Sequence, residues 1–219
     1  VGAPSANPGI PAVQPVAPPA PQPVSRTSSG QGQRRAQAAN QRDALANLNI
    51  IRFNTRGTCS KLGRSSGNFD SSNNEGKDLI AAIEYVKNNN LGKPFVVGWS
   101  FGTDVTLRHA YDQDLSGVIL ISPPLRFTTQ EELARWKNVN FPVVALVPEL
   151  DDYLKPKEAK EKFAISPNIK IIAEAGAKHL WVGEQSVYKV LNHIVQFVAP
   201  EKYPLPTTWD GPMEKWNDI

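Results

Sequence analysis

Cysteine is nearly absent: Cys59 is the single thiol in 219 residues. One thiol cannot close an intrachain disulfide, so a small secreted fold held by staples is excluded. Histidine is scarce as well. Three His and one Cys make a poor set for a zinc site, and no metal is expected. No apolar run approaches the ~18 residues that a membrane span needs. Residues 1–40 contain no acidic and no aromatic residue. Their three basic side chains, Arg26, Arg34 and Arg35, account for the whole net charge of +3, because the rest of the chain carries 21 basic against 21 acidic groups. A neutral body lacks the clustered Lys and Arg on which phosphate affinity depends, so neither a nucleic-acid nor a membrane partner is expected.

What is present divides the chain into three. Residues 1–40 hold 8 of the 19 prolines and 8 alanines. Such a segment cannot bury enough surface to offset its ordering entropy, and it reads as disordered or polyproline-like. It has no apolar core of a secretory signal, although its Arg, Ser and Ala content leaves an organelle transit segment open. The expected compartment is the cytoplasm. The only Met is Met213, so the chain is expected to be processed, trimmed or incomplete at its start. Residues 41–199 are patterned. A helix end is expected at Gln41–Leu48, and short apolar strands at Asn49–Phe53, Phe95–Val97, Gly117–Ile121, Pro142–Val147 and Ile169–Ala173. Helical spacing marks Glu75–Asn89, Asp104–Tyr111, Glu131–Lys137, Pro156–Phe163 and Gln185–Val198. Unbroken apolar strands alternating with helices predict an α/β fold, a mostly parallel sheet of about five strands covered on both faces. The tail, 200–219, with Pro200, Pro204 and Pro206, is expected to pack as an irregular strap.

Gly98-Trp99-Ser100-Phe101-Gly102 is a G-x-S-x-G pentapeptide between a strand and a helix. The glycines allow a sharp turn, which lifts the Ser100 hydroxyl to the carboxyl end of the sheet, and the Phe101 N–H can face a forming oxyanion. The plain alternative is a tight turn with an inert serine. A nucleophilic serine needs a base, and the base an orienting acid. His109 lies within a helix and His193 within the last amphipathic helix. His179 lies in a loop beyond a strand, where open parallel sheets place their sites, and is the base by elimination and position. The alternative for it is a structural hydrogen bond. The acid is expected between Ser100 and His179 in chain order. Glu149, Asp151 and Asp152 compete beyond Val147, while Asp104 and Asp112 are poorly placed. If the segment is extended, Asp151 and Asp152 point to opposite sides, so only one can face His179.

From about residue 41 the chain resembles the α/β-hydrolases, in a small bacterial, actinobacterial-like branch. The matching segments are Arg52–Gly57 (RFNTRG), Gly63–Gly67 (GRSSG), Gly98–Val105 (GWSFGTDV), Ser122–Leu125 (SPPL), Val147–Tyr153 (VPELDDY) and Gly176–Trp181 (GAKHLW). The resemblance implies Asp151 as the acid, leaving Asp152 to help the start of the helix at Pro156. It implies a serine hydrolase that cleaves an ester or thioester through Ser100, His179 and Asp151, with no cofactor and a small-molecule acyl substrate. The oligomeric state has no marker. The resemblance also implies an earlier strand whose carboxyl-end loop supplies a second oxyanion donor. Residues 1–40 carry no His and no strand pattern, so that strand and loop are expected to be missing. The competing expectation is therefore a truncated, catalytically inactive relative with a structural or binding role.

About twenty residues separate the strands at Gly117 and Pro142, where this fold places a lid. They are too few for a buried lipid tunnel, which suggests small to medium acyl groups. Trp99, Pro123, Pro124, Leu125 and Trp181 are candidate pocket walls, with Phe127 and Trp136 alongside; packing in the core is the equal alternative. Gly57, Gly63 and Gly67 do not form a phosphate loop: the spacing is one residue too long, and Arg64 stands where Lys is needed. No nucleotide binding is expected, and Cys59 is a bystander.

Overall fold

The computed structural model describes residues 49–60 and 63–208. Four strands form one parallel sheet: β3 (Phe95–Trp99), β4 (Gly117–Ile121), β5 (Val143–Pro148) and β6 (Ile169–Glu174), adjacent in that order. A hairpin of two short strands, β1 (Cys59–Ser60) and β2 (Gly63–Arg64), stands apart. The helices are α1 (Glu75–Asn88), α2 (Phe101–His109), α3 (Gln130–Ala134), α4 (Pro156–Phe163) and α5 (Glu184–Val198), with short 3₁₀ turns at Arg135–Asn138 and Pro200–Lys202. Among the described residues no helix is long and apolar enough to cross a membrane.

β4 and β5 are buried at every position because the sheet is covered on both sides. Alternate residues feed two cores. Val96, Val118, Leu120, Val143, Ala145 and Val147 pack on one face with Leu79 and Ile83 of α1, Val105 and Leu107 of α2, Leu133 of α3 and Phe163 of α4. Ile119, Ile121, Val144 and Leu146 pack on the other against Val190, Ile194, Phe197 and Val198 of α5. Trp136 is fully buried, and its indole N–H donates to the Leu107 carbonyl at 2.7 Å. It is a core residue, the second of the two roles open to it.

The structure corrects the strand expected at Asn49–Phe53. That segment is irregular, with Ile50, Ile51 and Phe53 exposed, so the parallel sheet has four strands among the described residues. An apolar run becomes a strand only where a neighbouring strand pairs with it in a ladder, and among the described residues 49–53 belong to no ladder. Among the described residues β3 is accordingly the end strand, with Phe95, Val97 and Trp99 exposed. The elbow helix starts at Phe101 rather than Asp104. Within the tail, the Leu205 N–H donates to Asn192 Oδ1 at 2.9 Å and its carbonyl accepts from the Tyr188 hydroxyl at 2.7 Å, which straps the chain onto α5. The expectations for residues 1–40 and Gln41–Leu48, and for the rest of the tail beyond 208, lie outside the described residues.

Candidate active site

Ser100 stands between β3 and α2 with φ 49° and ψ −119°. A non-glycine residue costs about 1–3 kcal/mol in such a region and persists where its surroundings over-determine it. Its N–H donates to the Ile121 carbonyl at 2.9 Å, and its carbonyl accepts from the Thr103 N–H and hydroxyl. Gly98 is needed beneath it. A Cβ there would meet the Gly102 carbonyl oxygen at 2.7 Å and Thr106 Oγ1 at 2.9 Å, so strand and helix approach only because position 98 has no side chain. The Phe101 N–H opens the helix and belongs to the first turn, whose amides have no intrahelical acceptor.

Ser100 Oγ lies 2.8 Å from His179 Nε2, and His179 Nδ1 lies 2.9 Å from Asp151 Oδ2. Asp151 is 2% exposed and His179 6%. The second Asp151 oxygen accepts from the Tyr153 N–H at 2.8 Å and the Leu154 N–H at 3.3 Å, which fixes the carboxylate. A neutral imidazole with its proton on Nδ1 donates to Asp151 and leaves Nε2 to accept from the Ser100 hydroxyl. The Tyr153 ring lies against the imidazole, 4.6 Å between centroids.

The backbone at His179 is itself pinned. Its carbonyl accepts from Ser122 Oγ at 3.0 Å and from Trp99 Nε1 at 3.3 Å, while Ser122 Oγ in turn accepts from Trp181 Nε1 at 2.8 Å. Glu149 Oε2 accepts from the Gly176 N–H at 2.8 Å, which ties down the start of the same loop. The three competing carboxylates therefore separate by position. Asp151 faces the imidazole and Glu149 braces the loop. Asp152 is exposed, and α4 opens at Lys155 with no side-chain cap, so the capping role expected for Asp152 is corrected.

Asp104 is fully buried in α2. It accepts from the N–H groups of Arg126, Phe127 and Thr128 at 3.4, 3.1 and 3.0 Å, and from the Thr128 hydroxyl at 2.6 Å. It thereby anchors the loop that follows β4. The other two histidines serve the scaffold: His109 Nε2 meets the Ser72 carbonyl at 2.6 Å, and His193 Nε2 meets Glu174 Oε2 at 2.9 Å.

A cavity of about 380 Å³ opens beside Ser100, lined also by Phe69, Phe101, Asp104, Pro124, Arg126, Phe127 and Tyr153. Phe69, Phe101 and Phe127 pack edge-on or tilted around one another, 5.2 to 6.0 Å between centroids. Of the expected walls, Pro124 lines the cavity, as does Phe127. Trp181 is buried in the core under α5, Pro123 is buried, Leu125 packs on the main core, and Trp99 reaches His179 through its indole N–H. The roles of Ser122 and Phe69 have no counterpart in the sequence expectations; Glu149, one of the three candidate acids, braces a loop instead, as does Asp104, poorly placed as the orienting acid. Ser122 carried a signal, as a serine at the carboxyl end of a buried strand. Phe69 carried none, being a lone aromatic in a polar loop. Among the described residues no group of three or more His, Cys, Asp or Glu is arranged to hold a metal ion.

No protein-family model and no curated protein sequence matches the chain. Solved structures do. The chain is similar to an α/β serine hydrolase homologue from Coxiella burnetii, at 24% identity with a TM-score of 0.57 over 67% of each chain. It is similar to a Xanthomonas campestris protein described as an α/β serine hydrolase without lid, at 20% identity with a TM-score of 0.56 over 76% of each. It is also similar to a Pyrococcus furiosus esterase, at 16% identity with a TM-score of 0.60 over 74% of this chain and 73% of that one. The chain has the α/β-hydrolase fold.

Proposed function

We propose that this chain is a serine hydrolase that cleaves an ester or thioester of a small to medium acyl group. The observation that carries the reading is the Ser100–His179–Asp151 chain of contacts, 2.8 and 2.9 Å long, beside a cavity. Ser100 Oγ attacks the substrate carbonyl as its proton passes to His179 Nε2. Asp151 holds the imidazole in the required tautomer and stabilises the imidazolium. The Phe101 N–H donates to the oxyanion, a contact typically worth ~10²–10³ in rate. Collapse of the tetrahedral adduct expels the leaving group with the proton from His179, and water, deprotonated by the same His179, then releases the acid from Ser100. The second oxyanion donor that the resemblance implies, and whose loop the sequence leads us to expect missing, would fall ahead of Leu48, outside the described residues. The chemistry calls for no metal or organic cofactor.

The segment between β4 and β5 holds only a loop, α3 and a 3₁₀ turn. Its shortness favours an open site, in keeping with the Xanthomonas protein described as lacking a lid. A fluorophosphonate probe is expected to label the folded protein at Ser100 and not the Ser100→Ala variant. In p-nitrophenyl esters of increasing length, turnover is expected to fall for long acyl chains. A folded sample that resists the probe would leave the inactive, structural or binding reading in its place.

A further inference from the structure

Four of the eight residues that line the cavity beside Ser100 are aromatic, and one is a cation. Arg126 lines it, exposed, with its guanidinium carbon 5.7 Å from the centroid of the Phe127 ring. No acidic side chain among the described residues pairs with that guanidinium. The one carboxylate in the wall, Asp104, is fully buried, and its oxygens already accept four donors from the loop at Arg126–Thr128. Those neutral donors occupy its lone pairs, so it makes no ion pair with the Arg126 guanidinium and offers a ligand no free acceptor. The same bonds fix the backbone of Arg126, so the cation is carried on an anchored loop. The Phe127 face beneath it orients the planar guanidinium while leaving its N–H fork free.

We propose that the substrate carries an anionic group, a carboxylate in the first instance, which Arg126 receives while the carbonyl sits at Ser100. The aromatic walls of Phe69, Phe101 and Phe127 then hold the apolar stretch between the two ends. The volume, about 380 Å³, lies within the ordinary range for a small-molecule site. This inference rests on the serine-hydrolase reading for its carbonyl end and on Arg126 alone for its charged end.

The test compares esters of equal length with and without a charge. On the acyl side these are the mono-p-nitrophenyl ester of adipic acid and p-nitrophenyl hexanoate; on the leaving-group side, 4-acetoxybenzoate and 4-acetoxybenzamide. In one of the two pairs, kcat/KM is expected to favour the charged ester by about tenfold, the scale of one hydrogen bond to a charged group. The pair that responds identifies which end of the substrate bears the charge. The preference should shrink at high salt, which screens an exposed cation. It should collapse in Arg126→Gln and partly return in Arg126→Lys. A separate readout needs no turnover: phenylacetate should bind Ser100→Ala more tightly than phenylacetamide in an NMR titration, and the difference should vanish when Arg126→Gln is added. Turnover of neutral esters with no charge preference, and a preference or binding difference that survives Arg126→Gln, would each overturn the anionic substrate while leaving the hydrolase reading intact. Absence of turnover with an Arg126-dependent binding difference would overturn the hydrolase reading and uphold the anion site.

Discussion

Replacing the Asp151 carboxylate by an amide changes what the imidazole meets. An Asn at this position can turn an N–H₂ group towards His179 Nδ1, which favours the tautomer with its proton on Nε2 and removes the acceptor for the Ser100 hydroxyl. In serine proteases the corresponding change costs ~10⁴ in kcat with the geometry intact. Asp151→Asn is therefore expected to lose turnover by up to that factor while its melting temperature moves little, because its oxygen can still accept from the Tyr153 and Leu154 N–H groups. Asp152→Asn is expected to leave both unchanged, since Asp152 is exposed and caps nothing. Steady-state kinetics and thermal melts of the two variants check this, and the opposite pattern would reverse the assignment. At this scale the sequence is informative where chemistry restricts the choice. Three histidines and one G-x-S-x-G leave few combinations. It is uninformative about Ser122, Glu149 and Phe69, whose roles depend on what lies across space from them. Spacing alone also left Asp151 and Asp152 unresolved, because the choice turns on which way a single loop residue faces.

Between elements, three carboxylates act as clamps. Asp78 on α1 accepts from the N–H and guanidinium of Arg56, tying the loop around the β1–β2 hairpin to the helix. The Arg56 guanidinium holds the Asp78 carboxyl below its ordinary value of 3.8. Glu132 on α3 meets Arg108 of α2 at 2.8 Å and closes a capping box with Thr129. Burial raises its pKa, but the Thr129 N–H and the Arg108 guanidinium outweigh burial and hold it below 4.5. Glu174, at the end of β6, joins Lys189 and His193 of α5. There too burial raises the pKa and the cationic partners lower it further, again below 4.5. Each folded-state value lies under the unfolded one. The stabilisation is thus present above about pH 4.5 and is lost as acid carries each group down through its lowered folded value. Melting temperature is expected to fall along that acid limb, and Asp78→Asn should flatten the fall while lowering the plateau. A limb unaltered by the substitution would remove Asp78 from the account. Elements of unbroken apolar sequence were legible, as β4 and β5 show. Asn49–Phe53 has the same local pattern and is no strand, because a strand is a property of a pair. The β1–β2 hairpin went unseen because its residues are polar and its two strands are only two residues long.

Across the whole molecule, the sheet runs β3, β4, β5, β6 in the same order as the chain, each strand laid beside its predecessor. Ser100 follows the first of these, Asp151 follows the third, and His179 follows the fourth. Chain order therefore becomes a schedule. Trp136, Leu107 and the first three strands can consolidate from local pairings, which close with little entropic cost. The imidazole arrives only when β6 docks and α5 closes over Ile119 and Ile121. On the proposed reading, a newly emerging chain would expose Ser100 well before it acquires His179, the base expected to arm it. Pulsed hydrogen exchange during refolding is expected to protect the Trp136 indole N–H, bonded to the Leu107 carbonyl, ahead of the return of fluorophosphonate reactivity; simultaneous recovery would show that the sheet closes in one step. On the proposed reading, nucleophile and base would thus be kept apart in time as well as in sequence, and reactivity is expected only from a chain that has finished folding.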